Sequence, residues 1–119
     1  MLRDAISSIA RITRDDFARV EMRAGTIVGV DDFPKARKPS YRLTIDFGPL
    51  GTRRSSAAVR PFYTRDELLG RQVICVLNFP PKQIADFVSE VLTLGVMEHG
   101  GRIVLLQPDR PAEAGARIG

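Results

Sequence analysis

Leu2, Ile6, Ile9 and Ile12 recur at helical spacing, so residues 2–12 are expected to form a short amphipathic helix with Arg3, Asp4, Ser7 and Arg11 on its polar face. A helix this short is not stable alone and must dock on the domain or on a second subunit. Thr13 followed by Asp16 matches a capping box and predicts a helical turn leading into Phe17. The period then changes. Val20, Met22, Thr26, Val28 and Val30 share one parity, and Gly25 and Gly29 interrupt it, the mark of a bulge or sharp bend in a long strand. Prolines 34 and 39 make the stretch from Phe33 to Pro39 a loop. Tyr41, Leu43, Ile45 and Phe47 alternate with Arg42, Thr44 and Asp46, the pattern of a half-buried antiparallel strand.

Gly48-Pro49-Leu50-Gly51 turns the chain into a polar strand, Thr52–Val59, which Pro61 ends. Thr64 and Glu67 form a second capping-box pattern, predicting a short helix over Arg65–Leu69 stopped by Gly70. Gln72–Asn78 is an expected buried strand, halted by Pro80-Pro81, and a loop follows it. Glu90–Val96 and Ile103–Leu106 are two more expected strands on either side of a Gly100-Gly101 turn, with the tail Pro108–Gly119 extended along the surface. This order is that of an OB-fold: all-β with short helices, a five-stranded Greek-key barrel of a kind that commonly binds nucleic acid or sugars. The helix between the third and fourth strands favours it over an SH3-like barrel. Residues 1–15 read as a helical extension, and 16–119 as the barrel domain with its C-terminal extension.

A chain of 119 residues, 44% of them hydrophobic, has room for one domain and a core that needs neither metal nor disulfide. The longest apolar run, Val73–Leu77, is far short of a membrane span, and the leading segment lacks the apolar core and cleavage site of a secretory signal. A lone cysteine, Cys75, fits a reducing compartment, so the expected location is cytoplasmic. A single histidine, His99, argues against zinc sites and Ser–His–acid triads, and no nucleophile elbow or phosphate-binding GK[ST] loop is present. The expectation is a protein without enzymatic activity, cofactor or metal. Of the net charge of +4, residues 17–63 contribute nine basic against four acidic groups, and the remainder of the chain is close to neutral. Such a concentration is what a polyanion binder leaves, although the counts alone favour a merely solvated surface.

Three blocks carry more specific information. Asn78-Phe79-Pro80-Pro81-Lys82 through Ser89-Glu90 resembles the N-x-x-P-[KR]-x-x-x-G-x-x-S-[EQ] segment of the tRNA-binding domain family, an OB-fold module appended to some methionyl- and phenylalanyl-tRNA synthetases and also found free-standing. Arg23-Ala24-Gly25-Thr26-Ile27-Val28 is similar to its first strand, and Leu43–Gly48 with Ser55-Ser56-Ala57 to its second and third. Phe33-Pro34-Lys35-Ala36-Arg37, Ser89-Glu90-Val91-Leu92 and Leu105–Asp109 resemble the family's CsaA group. That resemblance implies a cytoplasmic homodimer acting as an export-related chaperone on unfolded or preprotein polypeptide, with a capacity for tRNA read by shape. Asp86 stands where much of the family has glycine, and Gln83 and Val88 stand where CsaA relatives often carry a base.

Candidate nucleic-acid contacts are Arg37 and Lys38 in the first loop, Arg42 and Arg54 on neighbouring strands, and Asn78, Lys82 and Ser89 around the informative segment. Arg53 and Arg54 point to opposite faces, so at most one shares a face with Arg42. Phe79 and Phe87 are candidates for a polypeptide pocket. Each has a plainer reading: Asn78 and Ser89 as loop ties, Lys82 as an ordinary surface lysine, the two phenylalanines as core. Cys75 reads as inert core and His99 as a turn residue.

Overall fold

The computed structural model describes residues 8–119. Helix α1 (Arg14–Ala18) opens on the expected capping box, with the Thr13 hydroxyl accepting from the Asp16 amide. It leads into β1 (Met22–Asp32), β2 (Tyr41–Asp46) and β3 (Thr52–Ala57). Helix α2 (Arg65–Leu68) follows, its capping box built by Thr64 and Glu67. Then come β4 (Gln72–Val76), β5 (Lys82–Ile84), β6 (Phe87–Ser89), β7 (Leu92–Thr93), β8 (Gly95–Met97) and β9 (Ile103–Leu105).

Five antiparallel strands in the order β3-β2-β1-β4-β7 wrap into a nearly closed barrel, the expected OB architecture. Alternation along β2 sends Tyr41, Leu43 and Ile45 inward, followed by Phe47, to pack with Ile27, Val73, Cys75 and the α2 residue Leu68. β1 can serve both β2 and β4 because it bends. Its register with β2 shifts between Ile27 and Gly29, and the extra residue, Val28, is half exposed rather than on the inward parity the alternation predicts. Gly25 permits the close packing inside: a Cβ there would lie 2.5 Å from Ile45 Cγ2 and 2.6 Å from Phe47 Cε1.

The barrel closes without a regular ladder. The Arg54 carbonyl accepts from the Glu90 amide (2.8 Å), while the amides of Arg54 and Ser56 donate to side-chain oxygens, Glu90 Oε1 and Ser89 Oγ, each at 3.0 Å. Two side chains thus satisfy the edge of β3 where a neighbouring strand would otherwise stand. The tail pairs with β1: Gly115 donates to Ala24 O, Ala24 to Ala116 O and Ile118 to Met22 O.

Four expectations change. Of the leading helix over residues 2–12, residues 2–7 lie outside the described residues, and residues 8–12 form a turn, a bend and irregular chain. The loop after Pro81 is a hairpin, β5–β6, closed by a tight turn in which Ala85 adopts φ +52°. The single strand over Glu90–Val96 is two, β7 on β4 and β8 on β9. β4 ends at Val76, short of Asn78. No helix among the described residues is long and apolar enough to cross a membrane.

Cys75 is fully buried, and that burial pushes its thiol up to about 11. The native protein should therefore react with a disulfide thiol reagent at pH 8 only as fast as it unfolds, and stoichiometrically in denaturant. Fast reaction of the native form would place the residue elsewhere.

Candidate nucleic-acid interface

Because Leu43 and Ile45 are directed inward, Arg42 stands on the outer face of β2. Arg42 faces Ser56 and Thr44 faces Arg54, so Arg54 is the diagonal neighbour of Arg42 on that face, whereas Arg53 falls on the inward parity with Ser55. Two rings lie between them. The guanidinium of Arg42 sits 5.7 Å from the Phe33 centroid and that of Arg54 4.7 Å from the Phe87 centroid. Phe33 and Phe87 meet edge to face at 5.4 Å. Both rings are buried, yet neither belongs to the barrel core.

The Phe33–Ser40 loop lies beside this face. Arg37 and Lys38 are exposed and form no ion pair among the described residues. Lys35 instead bonds Asp86 at 3.1 Å, tying the loop to the β5–β6 turn and holding the Asp86 carboxyl below its ordinary value. Carboxylates also approach the arginines, Asp31 at 3.9 Å from Arg54 and Asp32 at 3.6 Å from Arg60.

The remaining candidates divide. Asn78 is engaged on both sides of its amide, accepting from the Glu21 amide and donating to Arg19 O at 2.6 Å, which ties the end of β4 to the approach to β1. Ser89 accepts from the Ser56 amide and so helps close the barrel. Lys82, opposite Ser89, is exposed with no ion-pair partner among the described residues. Lys82 and Ser89 line a cavity of ≈ 260 Å³ together with Phe79, Pro80, Ile84 and Leu92. Phe79 is 55% exposed at this cavity, whereas Phe87 is turned under Arg54 and takes no part in it.

Phe33, Lys35 and Glu90 are parts of this surface that were not singled out as site residues. Phe33 precedes a proline in a loop, where no periodicity marks it, and the lysine and glutamate act through partners distant in sequence. No group of three or more His, Cys, Asp or Glu among the described residues is placed to hold a metal ion.

A sequence model of the family described as "Putative tRNA binding domain" matches residues 22–117. The chain is 34% identical over 107 residues to the methionine–tRNA ligase of Thermococcus kodakarensis, which covers 90% of this chain but only 14% of the ligase. Among solved structures, the chaperone CsaA of Bacillus anthracis is 43% identical with a TM-score of 0.88, and that of Picrophilus torridus 46% identical with a TM-score of 0.85. Each comparison covers 92% of this chain and the whole of the other.

Proposed function

The chain belongs to the tRNA-binding domain family, and from that premise we propose that it binds folded tRNA without catalysis, through the face carrying Arg42 and Arg54. The observation that carries this reading is the pair of half-buried arginines on one sheet face beside Arg37 and Lys38 of the Phe33–Ser40 loop, which form no ion pair among the described residues. Structured RNA hides its base edges in a deep groove, so a rigid array of cations spaced for phosphates suits recognition by shape. Asn78 and Ser89, with their hydrogen bonds already made, serve by holding the frame, and Lys82 adds a cation at its edge.

The likeness to CsaA chaperones supports a second capacity, holding unfolded or export-bound polypeptide as a cytoplasmic homodimer. The cavity beside Phe79 offers an apolar side chain a place to sit, next to the Lys82 ammonium. Residues 1–15 are proposed as an extension outside the tRNA-binding unit. Exposed Val96, Met97 and Leu106 at β8–β9 supply apolar surface for a second copy. The alternative is a tRNA-binding protein with no chaperone role.

Titrating labelled, folded tRNA at two salt concentrations, with an unfolded polypeptide as competitor, tests both. Micromolar or tighter binding that weakens steeply with salt supports the RNA reading. Displacement by the polypeptide shows that the two share surface, and no binding at low salt removes the RNA reading.

Asp86 should oppose binding, because it occupies the Lys35 ammonium. Asp86→Asn is expected to tighten tRNA binding about threefold at low salt and to steepen the salt dependence by about one phosphate contact. An unchanged slope would leave Lys35 outside the contact surface. The carboxyl's lowered pKa means that its ion pair contributes to folding above the unfolded value near 3.8 and is lost as the pH falls through the folded value. Any melting-temperature difference between wild type and Asp86→Asn should therefore vanish in acid.

A further inference from the structure

The pair Phe33 and Phe87 occupies an unusual place, buried on the outside of the barrel with an arginine laid over each ring. A small outer core would need only apolar bulk there, but this arrangement alternates: Arg42 over Phe33, Phe33 edge-on to Phe87, Phe87 under Arg54. Stacking uses the face of a guanidinium and leaves its edge donors available. Arg42 commits only its Nε, to Asp32 O at 2.9 Å. The nearest carboxylate oxygen to the Arg54 guanidinium, on Asp31, stands 3.9 Å away, beyond a hydrogen bond. Both guanidinium groups thus lie within cation–π distance of a ring, and apart from the Arg42 Nε bond neither donates a side-chain hydrogen bond among the described residues.

We infer that Phe33 and Phe87 are positioning residues for polyanion binding, holding the guanidinium planes of Arg42 and Arg54 at a fixed spacing so that phosphates meet donors already in place. The inference rests on the tRNA-binding reading above. An arginine free in water loses rotamer freedom when it is immobilised on a ligand, and one already held on a ring loses less. The two rings also fix the arginines relative to each other, which an isolated ring under one arginine would not do.

The test is a double-mutant cycle on tRNA affinity and its salt slope. Phe87→Leu preserves apolar bulk but removes the ring face. It should weaken binding about two- to fivefold, the equivalent of a partly exposed cation–π contact, and should lower the salt slope as Arg54→Ala does. In the Arg54→Ala background, Phe87→Leu should cause no further loss. Phe33→Leu with Arg42→Ala provides a second, independent cycle if the first variant folds poorly. Ring-current shifts of the Arg54 side-chain protons, lost in Phe87→Leu, report the stack without any ligand. Wild-type binding with an unchanged slope in Phe87→Leu, or with additive losses in the cycle, overturns the inference and leaves the tRNA reading standing. No wild-type binding at low salt overturns both.

Discussion

Phe47→Ala should lower the unfolding free energy by about 3–5 kcal/mol, the largest effect expected of any single truncation in this chain. The ring is fully buried at the end of β2 and lies against Gly25, where it and Ile45 Cγ2 occupy the space a side chain would take. Deleting it opens a void beneath the bend of β1, and neighbouring strands cannot collapse into it without losing their register. For a domain of this size, the loss corresponds to a fall in melting temperature of roughly 10–20 °C. Gly25→Ala, which clashes with both Ile45 and the ring in the wild type, should be less harmful when combined with Phe47→Ala, which relieves one of the two clashes. Thermal unfolding of the four proteins checks both statements. Independent, additive losses would mean that Gly25 is needed for strand geometry and not for the ring.

The second large effect concerns binding. Reversing both arginines, Arg42→Glu with Arg54→Glu, should weaken tRNA binding about a hundredfold at low salt and remove about two phosphate contacts from the salt slope. Arg102→Glu with Arg110→Glu makes the same change in net charge at the β8–β9 turn and the tail, outside this face, where Arg102 pairs with Glu98 and Arg110 is almost fully exposed beside Asp109. That control should alter affinity by about threefold or less. Equal losses in the two pairs would show that tRNA senses only the overall charge, and the proposed face would lose its standing. Both arginines are partly solvent-exposed, so the reversed protein should remain folded.

The parts of the fold that were legible in sequence are those set by local chemistry. The capping boxes at Thr13 and Thr64 need only four adjacent residues, and the alternation of β2 needs only one buried face. The bend of β1 was visible through Gly25 and Gly29, but its consequence for parity was not: a bulge inserts one residue, and Val28 therefore turns to solvent. The β5–β6 hairpin was hidden because Ala85 takes a left-handed turn position that usually announces itself with glycine or asparagine.

Legibility of the site followed the same division. Arg42 and Arg54 could be placed near one another from strand parity alone. The aromatic pair could not, since Phe33 and Phe87 are 54 positions apart in loops and a short hairpin, and their contact depends on how that hairpin folds back over β3. Ser89 and Glu90 stood out as motif residues, yet their roles, acceptor oxygens for the open edge of β3, are visible only in three dimensions.

The pairing of the tail with β1 sets an order of events in time. Arg23 and Gly115, bonded to one another, are 92 residues apart, whereas β1 and β2 meet across a single loop. Closing so long a loop gains nothing until the intervening strands are already in place, so the tail must dock late. Until it does, the outer edge of β1 at Met22–Ala24 presents unpaired backbone groups to any other extended chain. The step at which this protein is most exposed to wrong association is therefore the last step of its own assembly.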